Sequence, residues 1–322
     1  MDLKNLKKIL FKEIKKNSNI YVMGHNNLDL DCLAAMIGIG LISEKLNRKI
    51  YYIIDDQKFS SSIAKALENI KLSFIRSDEV KKSKKNLLIV VDTNKKSLIS
   101  IKDLSIFSDV IVIDHHNMGI DSIDNCYCYI DSNTSSTSEI ITELIRMFNV
   151  KLNKYYATII LSGIVLDTNN FVLRVSPRTF YNVHYLVNRD ASLIEVQYLL
   201  KQDIKEFILR QKMLSNVVII DKKIALASGA NNIMYRREDL AKIAETLLQF
   251  NEIESSFVIG RLSKNEVGIS GRTLGNLNVG ELMSRYNGGG NDFEGATVIN
   301  DKSIKTVKEN LIKILKTEED YR

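Results

Sequence analysis

The sequence predicts an α/β protein in which a parallel-sheet domain with flanking helices is joined by a helical linker to a smaller mixed α/β domain. Continuous apolar runs such as Val110–Ile113 are typical of strands that are buried on both faces of a parallel sheet. Several of these runs end in acids or histidines, and helical patterns lie between them. We place the first domain at residues 1–191, the linker at 192–213 and the second domain at 214–322.

Length and composition limit the class of protein. A length of 322 residues suggests two domains or one large one, and 45% hydrophobic with 26% charged residues is ordinary for a soluble globular enzyme. No apolar run approaches the roughly 18 residues that cross a bilayer, so we expect a cytoplasmic protein with no membrane contact from this chain. The net charge of +6 suits an anionic partner without indicating a nucleic-acid surface. The three cysteines lack a metal-type spacing and are predicted to be reduced.

The first group of candidate ligands follows a predicted strand at 19–23. His25, Asp29 and Asp31 lie in the loop that leads into an apolar helix at Cys32. Carboxylates together with an imidazole suit Mn²⁺, Mg²⁺ or a similar divalent cation. The alternative is that the two acids cap the helix and interact with its dipole.

Two further predicted strands and one predicted helix end in acids or histidines. These side chains are Asp92, Asp114, His115, His116 and Asp167. Because the carboxyl ends of parallel strands meet at one edge of a sheet, we expect these side chains to gather with the first group. His184 lies outside these motifs and is predicted to be an ordinary helix residue.

Six of these side chains can together hold two divalent cations. They are His25, Asp29, Asp31, Asp92, His115 and Asp167. One carboxylate must then bridge the cations, and Asp92 is the natural candidate because its strand is predicted to lie centrally. Two cations about 3.5–4 Å apart clamp the attacking and leaving oxygens of a phosphoryl displacement and lower the pKa of a bridging water.

The remaining two side chains of the run at 114–116 are available for other roles. His116 would contact the substrate phosphate or protonate the leaving oxygen. Asp114 would orient a histidine. The candidate catalytic residues are therefore His116, Asp92 and Asp114.

Two other segments are candidates for substrate contacts. Ser135–Glu139 precedes an apolar helix. The hydroxyls of this segment would cap the helix, or the N-terminus of the helix would face a phosphate, and neither role excludes the other. Three successive glycines at 288–290 permit close approach of the backbone to a ligand. Together with His116, the candidate substrate-binding residues are Ser136, Arg272, Gly288, Gly289, Gly290 and Asn291.

The combination of motifs resembles the DHH phosphoesterase superfamily. The four motifs concerned are His25-x-x-x-Asp29-x-Asp31, Val91-Asp92-Thr93, Asp114-His115-His116 and Leu166-Asp167-Thr168. Ser270–Gly275 and Gly288–Gly290 resemble the DHH-associated C-terminal domain of that superfamily. The segments most similar to the catalytic half of GdpP-type cyclic di-AMP phosphodiesterases are Ser135–Glu139, Asp167–Phe171 and Ser256–Gly260. This resemblance implies hydrolysis of cyclic di-AMP to the linear dinucleotide pApA, with manganese as the usual metal.

The chain departs from the pattern of this family at three positions. Leu28 replaces a proline and Cys32 an alanine, and neither position supplies a metal ligand in the family. Asn291 replaces the histidine of a Gly-Gly-Gly-His motif that contacts substrate phosphate, so we expect a weakened or retuned enzyme. GdpP-type enzymes also carry membrane helices and regulatory domains upstream, which makes this chain a short homologue or a catalytic fragment.

Other functions remain open at this point. An oligoribonuclease or pAp phosphatase uses the same metal centre on short linear substrates. A RecJ-like exonuclease is disfavoured because the chain has no strongly basic stretch, and a pyrophosphatase is disfavoured by the glycine motif. A module that binds cyclic dinucleotides without efficient hydrolysis is the alternative outside enzymes. The expected partners are two divalent cations, Mn²⁺ above all, and a cyclic dinucleotide or short oligonucleotide, but no duplex DNA; a homodimer is compatible with this interpretation.

Overall fold

The structure, a computed structural model, describes residues 1–55, 59–119, 121–201 and 204–317. The chain forms two units, Met1–Gln202 and Asp203–Arg322. The boundary between them lies within the segment 192–213.

A six-stranded parallel sheet forms the centre of the N-terminal unit. Its strands are β1 (Asn19–Met23), β2 (Tyr51–Ile53), β3 (Phe74–Ile75), β4 (Asn86–Val91), β5 (Asp109–Asp114) and β6 (Tyr127–Ile130). Their order is β3-β2-β1-β4-β5-β6, and each neighbouring pair is parallel. Tyr21 pairs with Leu88, which in turn pairs with Val110. The predicted parallel sheet is thus confirmed, with β1 and β4 at its centre.

The two faces of this sheet are covered differently. Alternate residues of β4 point to opposite faces, as the pleat requires. Leu87, Ile89 and Val91 pack in a cluster with the helices, whereas Leu88 and Val90 pack under loops and short 3₁₀ turns. The helices are α1 (Leu3–Lys16), α2 (Leu30–Lys45), α3 (Ser61–Leu67), α4 (Thr137–Met147), α5 (Lys154–Asp167), α6 (Pro177–Val187) and α7 (Leu193–Leu199). The 3₁₀ turns are Ser77–Glu79, Lys96–Leu98 and Leu104–Ile106.

Helices α2 and α5 form the interior of the helical layer. Both are apolar on nearly every side, which is typical of helices surrounded by protein. They contain 16 and 14 residues. Within the described ranges, no helix combines the length and the apolar character that crossing a membrane requires.

The C-terminal unit is a mixed sheet with helices on both faces. Its strands are β7 (Val218–Ile220), β8 (Ile224–Ser228), β9 (Ser255–Arg261), β10 (Glu266–Thr273), β11 (Gly289–Gly290) and β12 (Glu294–Asn300). Their order is β11-β12-β10-β9-β8-β7, and only the β8–β9 pair is parallel among the described strands. Its helices are α8 (Ile204–Leu214), α9 (Arg237–Leu247), α10 (Val279–Ser284) and α11 (Ile304–Thr317). Phe257 packs against α10 and α11, and Val258 packs against α9 on the opposite face.

The cysteines differ from their prediction. Cys126 and Cys128 form a disulfide, so the expectation of reduced thiols is wrong for this pair. Sequence spacing misled here because Cys126 lies in a bend that leads into β6 and Cys128 lies in that strand, which brings the two side chains together. Cys32 is free and buried.

Candidate metal site at the carboxyl edge of the parallel sheet

The candidate ligands meet where the strand order of the sheet reverses. The chain runs outward from β1 to β3 on one side and from β4 to β6 on the other, so a crevice forms between the carboxyl ends of β1 and β4. His25 follows β1, Asp92 follows β4, and Asp114 is the last residue of β5. The topology therefore brings these three segments to one edge.

The first cluster of candidate ligands contains His25, Asp29 and Asp92. His25 Nε2 lies 3.6 Å from Asp29 Oδ2 and 3.4 Å from Asp92 Oδ2. His25 Nδ1 lies 2.9 Å from the carbonyl oxygen of Asn26, which can only accept, so Nδ1 carries the proton and Nε2 faces the carboxylates. Burial alone would lower the pKa of His25, but the two carboxylates outweigh it and raise the pKa to about 11. The carboxylates thus attract a positive charge to this position.

Asp29 serves two purposes at once. Its Oδ1 accepts a hydrogen bond of 2.9 Å from the backbone N–H of Cys32 and so caps α2. Its Oδ2 faces His25. Capping and ligand binding, posed as alternatives from the sequence, are compatible at this residue.

The second cluster contains Asp31, Asp92, His115 and Asp167. His115 Nε2 lies 3.1 Å from Asp167 Oδ2 and 3.6 Å from Asp92 Oδ1. One potential ligand atom from each of Asp31, His115 and Asp167 falls within 4.8 Å of the others. The side chain of His115 is fully buried, and neither ring nitrogen has a hydrogen-bond partner among the described residues.

A buried imidazole whose ring nitrogens make no hydrogen bond to the described residues and whose Nε2 faces carboxylates fits a metal ligand. A buried polar atom without a partner is costly, and a cation bound at Nε2 would remove that cost. Two ligand atoms that each lie about 2.1 Å from one ion are roughly 3.0–3.4 Å apart. The separations of 3.1–3.6 Å around His25 and His115 are close to that range. The residues present therefore fit divalent cations.

Asp92 lies between the two clusters. Its Oδ2 faces His25 and its Oδ1 faces His115, and the residue is 3% exposed. Its φ of 61° is left-handed, a conformation that costs on the order of 1–3 kcal/mol in a residue other than glycine and that concentrates at functional sites. One carboxylate thus faces both clusters of candidate ligands.

The electrostatics of the clusters show an excess of negative charge. Burial and the charge of Asp31 raise the pKa of Asp92 well above its ordinary value. Burial and the charge of Asp167 raise the pKa of Asp31 to about 6. Carboxylates that disfavour one another in a buried place are stabilised in their charged form by a bound cation.

The N-terminus of α4 holds two of these carboxylates in place. The backbone N–H groups of Thr137 and Ser138 each donate a hydrogen bond of 2.8 Å to Asp31, one to each oxygen. Thr137 Oγ1 donates a hydrogen bond of 2.8 Å to Asp92 Oδ1. A Cβ at Gly163 of α5 would overlap Ser138 Oγ of α4. Only glycine at this position therefore lets α5 pack this closely against the start of α4. Sequence reasoning missed Thr137, because only the fold shows which acid its hydroxyl meets.

Ser136 occupies the capping position of the same helix. Its Oγ accepts a hydrogen bond of 3.1 Å from the backbone N–H of Glu139, and the residue is fully buried. The predicted cap is present. Contact between Ser136 and substrate stays a prediction.

Asp114 and His116 form a pair beside the second cluster. His116 Nδ1 lies 2.8 Å from Asp114 Oδ1, so Nδ1 carries the proton that this contact shares. The same oxygen accepts a hydrogen bond of 2.8 Å from the backbone N–H of His115. Asp114 is fully buried, whereas the side chain of His116 is half exposed. This is the contact that an orienting role for Asp114 requires.

The candidate substrate-binding residues of the C-terminal unit lie around the β11–β12 hairpin. The guanidinium of Arg272 lies 3.4 Å from Glu245 Oε1 and 3.5 Å from Glu294 Oε2. Asn291 Oδ1 accepts hydrogen bonds of 2.9 Å and 3.0 Å from the backbone N–H groups of Phe293 and Glu294. The side-chain oxygen of Asn291 therefore closes the hairpin, and its amide nitrogen donates a hydrogen bond of 3.4 Å to Glu294 Oε1. Contact between Asn291 and a phosphate stays a prediction.

The three glycines of this hairpin differ in their surroundings. A Cβ at Gly288 would overlap the carbonyl oxygen of Ala296, and a Cβ at Gly290 would overlap that of Glu294. A Cβ at Gly289 would meet no atom within 4 Å. Strand pairing thus accounts for Gly288 and Gly290, and Gly289 is the glycine of the three that leaves space for a ligand.

Comparison with known proteins identifies the family. Residues 19–164 match the model of the DHH family, N-terminal domain. The chain is 33% identical over 310 residues to the cyclic-di-AMP phosphodiesterase GdpP of Geobacillus thermodenitrificans, covering 92% of this chain and 47% of the relative. It is 32% identical over 313 residues to the cyclic-di-AMP phosphodiesterase PdeA of Listeria monocytogenes, covering 93% and 47%. The chain therefore spans about half the length of these curated relatives.

A shorter relative and two solved structures complete the comparison. The bifunctional oligoribonuclease and PAP phosphatase NrnA of Mycoplasma genitalium is 26% identical over 321 residues, covering 93% of this chain and 95% of the relative. An exopolyphosphatase-related protein from Bacteroides fragilis has the same fold, with a TM-score of 0.78 at 18% identity and coverage of 97% and 96%. Exonuclease RecJ bound to manganese matches with a TM-score of 0.59 at 12% identity and coverage of 100% and 96%. The predicted resemblance is confirmed: residues 19–164 of this chain form a DHH domain.

Proposed function

We propose that this chain is a two-cation phosphodiesterase that hydrolyses cyclic di-AMP to pApA. The observation that carries the proposal is the position of Asp92, whose two oxygens face His25 on one side and His115 on the other. Two relatives that match 92–93% of this chain are named cyclic-di-AMP phosphodiesterases, which supports the choice of substrate.

The proposal makes six residues metal ligands, with Asp92 shared by the two clusters. His25, Asp29 and Asp92 would hold one cation, and Asp31, Asp92, His115 and Asp167 the other. When bound, two divalent cations polarise the phosphodiester, activate water and neutralise the charge that develops on the phosphate. The buried hydrogen bonds from α4 to Asp31 and Asp92 would keep these carboxylates in one orientation when substrate enters.

His116 would act on the leaving group. Formation of pApA requires a bond between water oxygen and phosphorus and cleavage of the bond between phosphorus and the 3′ oxygen. That oxygen must then gain a proton. Because Asp114 holds the Nδ1–H of His116, Nε2 is the nitrogen that can deliver the proton, provided that it is protonated before the step.

The donor set favours manganese over zinc. Carboxylates and imidazoles suit Mn²⁺ and Mg²⁺, whereas thiolates favour zinc. Cys32 lies near His25 and Asp92. Burial, however, raises the pKa of the Cys32 thiol well above its ordinary value, which keeps it protonated and makes it a poor ligand. We therefore propose Mn²⁺ in both positions.

A second candidate function is hydrolysis of short linear nucleotides. NrnA, the relative with this activity in its name, matches over 95% of its own length. Asn291, in the position of a family histidine, is also compatible with a substrate other than the cyclic dinucleotide.

The test is a comparison of substrates with purified protein saturated with Mn²⁺. Cyclic di-AMP, pApA and pAp are each supplied at the same concentration, and product is quantified by chromatography. The proposal expects cyclic di-AMP to be hydrolysed fastest, with pApA as the product. Faster turnover of pApA or pAp would select the linear alternative. Binding of cyclic di-AMP without turnover of any substrate would make the chain a binding module.

A further inference from the structure

Asn94 is a buried polar residue to which the proposed reaction assigns no role. It lies two residues after Asp92 and is 2% exposed. Its Nδ2 donates a hydrogen bond of 2.7 Å to Asp114 Oδ2. The same nitrogen lies 3.1 Å from the carbonyl oxygen of His116. One amide group thus contacts both members of the Asp114–His116 pair.

The other end of Asn94 is fixed as well. Its Oδ1 lies 3.1 Å from Ser122 Oγ, whose single hydrogen is shared with the carbonyl oxygen of Gly119 at 2.7 Å. Its backbone carbonyl accepts a hydrogen bond of 2.8 Å from the backbone N–H of Ile123. Asp114 Oδ2 and the carbonyl oxygen of His116 can only accept, so the amide is held with its nitrogen toward Asp114 and its oxygen toward Ser122.

The two oxygens of Asp114 have different partners. Oδ1 contacts His116 Nδ1 at 2.8 Å and accepts from the backbone N–H of His115. The side-chain hydrogen bond to Oδ2 comes from Asn94. A carboxylate that is held at both oxygens cannot rotate about its Cβ–Cγ bond without breaking one of these contacts. The ring of His116 is thereby fixed through Asp114.

We propose that Asn94 is a positioning residue, which holds Asp114 and through it orients the Nε2 of His116 toward the substrate. This inference rests on the proposed function, in which His116 acts on the leaving oxygen. An amide is suited to the position because it donates a hydrogen bond to Asp114 without adding charge. An aspartate of the same shape would bring a second carboxylate against Asp114 and would lack the donor.

The experiment compares two variants of Asn94 with a matched control. Asn94→Ala removes the amide, and Asn94→Asp keeps its shape but removes the donor. Asn86→Asp is the control, because Asn86 is a buried asparagine of the preceding strand whose Nδ2 also donates to two backbone carbonyl oxygens, 2.8 Å and 3.2 Å away, at the opposite edge of the sheet.

The kinetic readout separates positioning from substrate or metal binding. On the phosphodiester that the wild type hydrolyses, kcat should fall about 10- to 100-fold in both Asn94 variants. KM should stay within about 3-fold and bound Mn²⁺ per chain should not change, since Asn94 contacts neither cluster of ligands directly. Asn86→Asp should keep the kcat of the wild type. Unchanged kcat in both Asn94 variants, or a parallel loss of bound Mn²⁺, would overturn the inference.

A second readout does not depend on activity. The chain has four histidines, so ¹⁵N-labelled imidazole rings can be assigned by substitution in metal-free protein. The Nδ1–H signal of His116 should be protected from exchange in the wild type and in Asn86→Asp, and should lose that protection in Asn94→Ala. Equal protection of the His116 Nδ1–H from exchange in all three proteins would contradict the inference, even if kcat fell. A wild type without turnover would contradict the proposed function instead, and the ring signals would still decide the role of Asn94.

Discussion

The two ends of strand β4 contain buried polar groups in opposite states. At the amino end, Asn86 Nδ2 donates to two backbone carbonyl oxygens and its Oδ1 accepts from Asn19. Nearby, Asp109 pairs with Lys16 at 2.8 Å. Burial alone would raise the pKa of Asp109, but the hydrogen bond from Lys16 lowers it below its ordinary value. The protein itself satisfies the polar groups at this edge.

At the carboxyl end the same strand leads into carboxylates that accept hydrogen bonds from α4 but are buried together and repel one another. The pKa values of Asp92 and Asp31 are raised, opposite to that of Asp109. The ring nitrogens of His115 have no hydrogen-bond partner among the described residues. One sheet thus shows both cases, and the difference indicates that buried charge is structural where the fold supplies its partner and functional where the partner must come from outside.

Substitutions at the two edges of the sheet should differ most in their effect on turnover. Asp92→Asn removes the charge proposed to hold both cations, so kcat should fall roughly 100-fold or more, about 2.7 kcal/mol of barrier, without loss of fold. Steady-state kinetics at saturating Mn²⁺ and circular dichroism measure the two quantities.

Asp109→Asn is the matched substitution at the amino edge. It removes a partly buried acid from the neighbouring strand and should leave kcat within about 2-fold of the wild type. Near-wild-type turnover by Asp92→Asn would remove the basis for the bridging role.

The pH dependence of stability should have opposite signs at the two edges. Asp31, with its pKa raised to about 6, binds its proton more tightly in the folded metal-free chain than in the unfolded chain, where the value is about 3.9. Its contribution therefore increases stability as pH falls from about 6 to about 4, by on the order of 2 kcal/mol. Asp109, with a lowered pKa, contributes stability above the unfolded value that is lost as pH falls through its folded value.

Urea unfolding of metal-free protein at pH 6.5 and pH 4.5 measures the effect of Asp31. Asp31→Asn removes this titration together with the effect of Asp31 on Asp92, whose pKa it raises, and both changes act in the same direction. The wild type should gain stability relative to the variant on acidification. A relative loss would show that Asp31 is satisfied within the fold and needs no cation.

The two adjacent histidines sharpen the comparison within the carboxyl edge. His116→Ala should slow turnover about 10- to 100-fold while two Mn²⁺ ions per chain remain bound. His115→Ala should lower the bound metal, since the buried His115 is a proposed ligand. Elemental analysis after gel filtration gives the stoichiometry. Equal losses of metal in the two variants would mean that the roles are wrongly divided.

The smallest expected effect is on the stability of the metal-free chain. Asp92→Asn relieves repulsion from Asp31 and retains a residue type that tolerates a left-handed backbone, so stability should rise by about 1 kcal/mol. Asp109→Asn loses the ion pair with Lys16 and should cost about 1 kcal/mol. Denaturant midpoints with chelator present would test both, and shifts of the same sign would contradict the contrast between the two edges.

Much of the fold was predictable because its strongest patterns are local. The apolar runs that became β1, β4 and β5 are long and end in polar residues, and periodic helices follow them. The two-residue strand β3 is too short to show a pattern. Strand β6 contains tyrosines and a cysteine in place of an aliphatic run, and it lies at the edge of the sheet. Both were therefore missed.

The residues of the candidate site also fall into a group that the sequence could predict and a group that it could not. The residues that follow strand ends could be predicted to meet, because parallel strands deliver their carboxyl ends to one edge. Thr137 and Asn94 could not, because their partners Asp92 and Asp114 lie 45 and 20 residues away and depend on how helix and loop pack on the sheet. No local pattern encodes such contacts.

Electron paramagnetic resonance of the chain loaded with Mn²⁺ tests the central claim most directly. If Asp92 bridges two ions about 3.5–4 Å apart, the wild type should show an exchange-coupled pair, with two Mn²⁺ per chain by elemental analysis. Asp92→Asn should abolish the coupling, while Asp109→Asn should retain it. A single uncoupled ion in the wild type, or a coupled pair that persists in Asp92→Asn, would contradict the account.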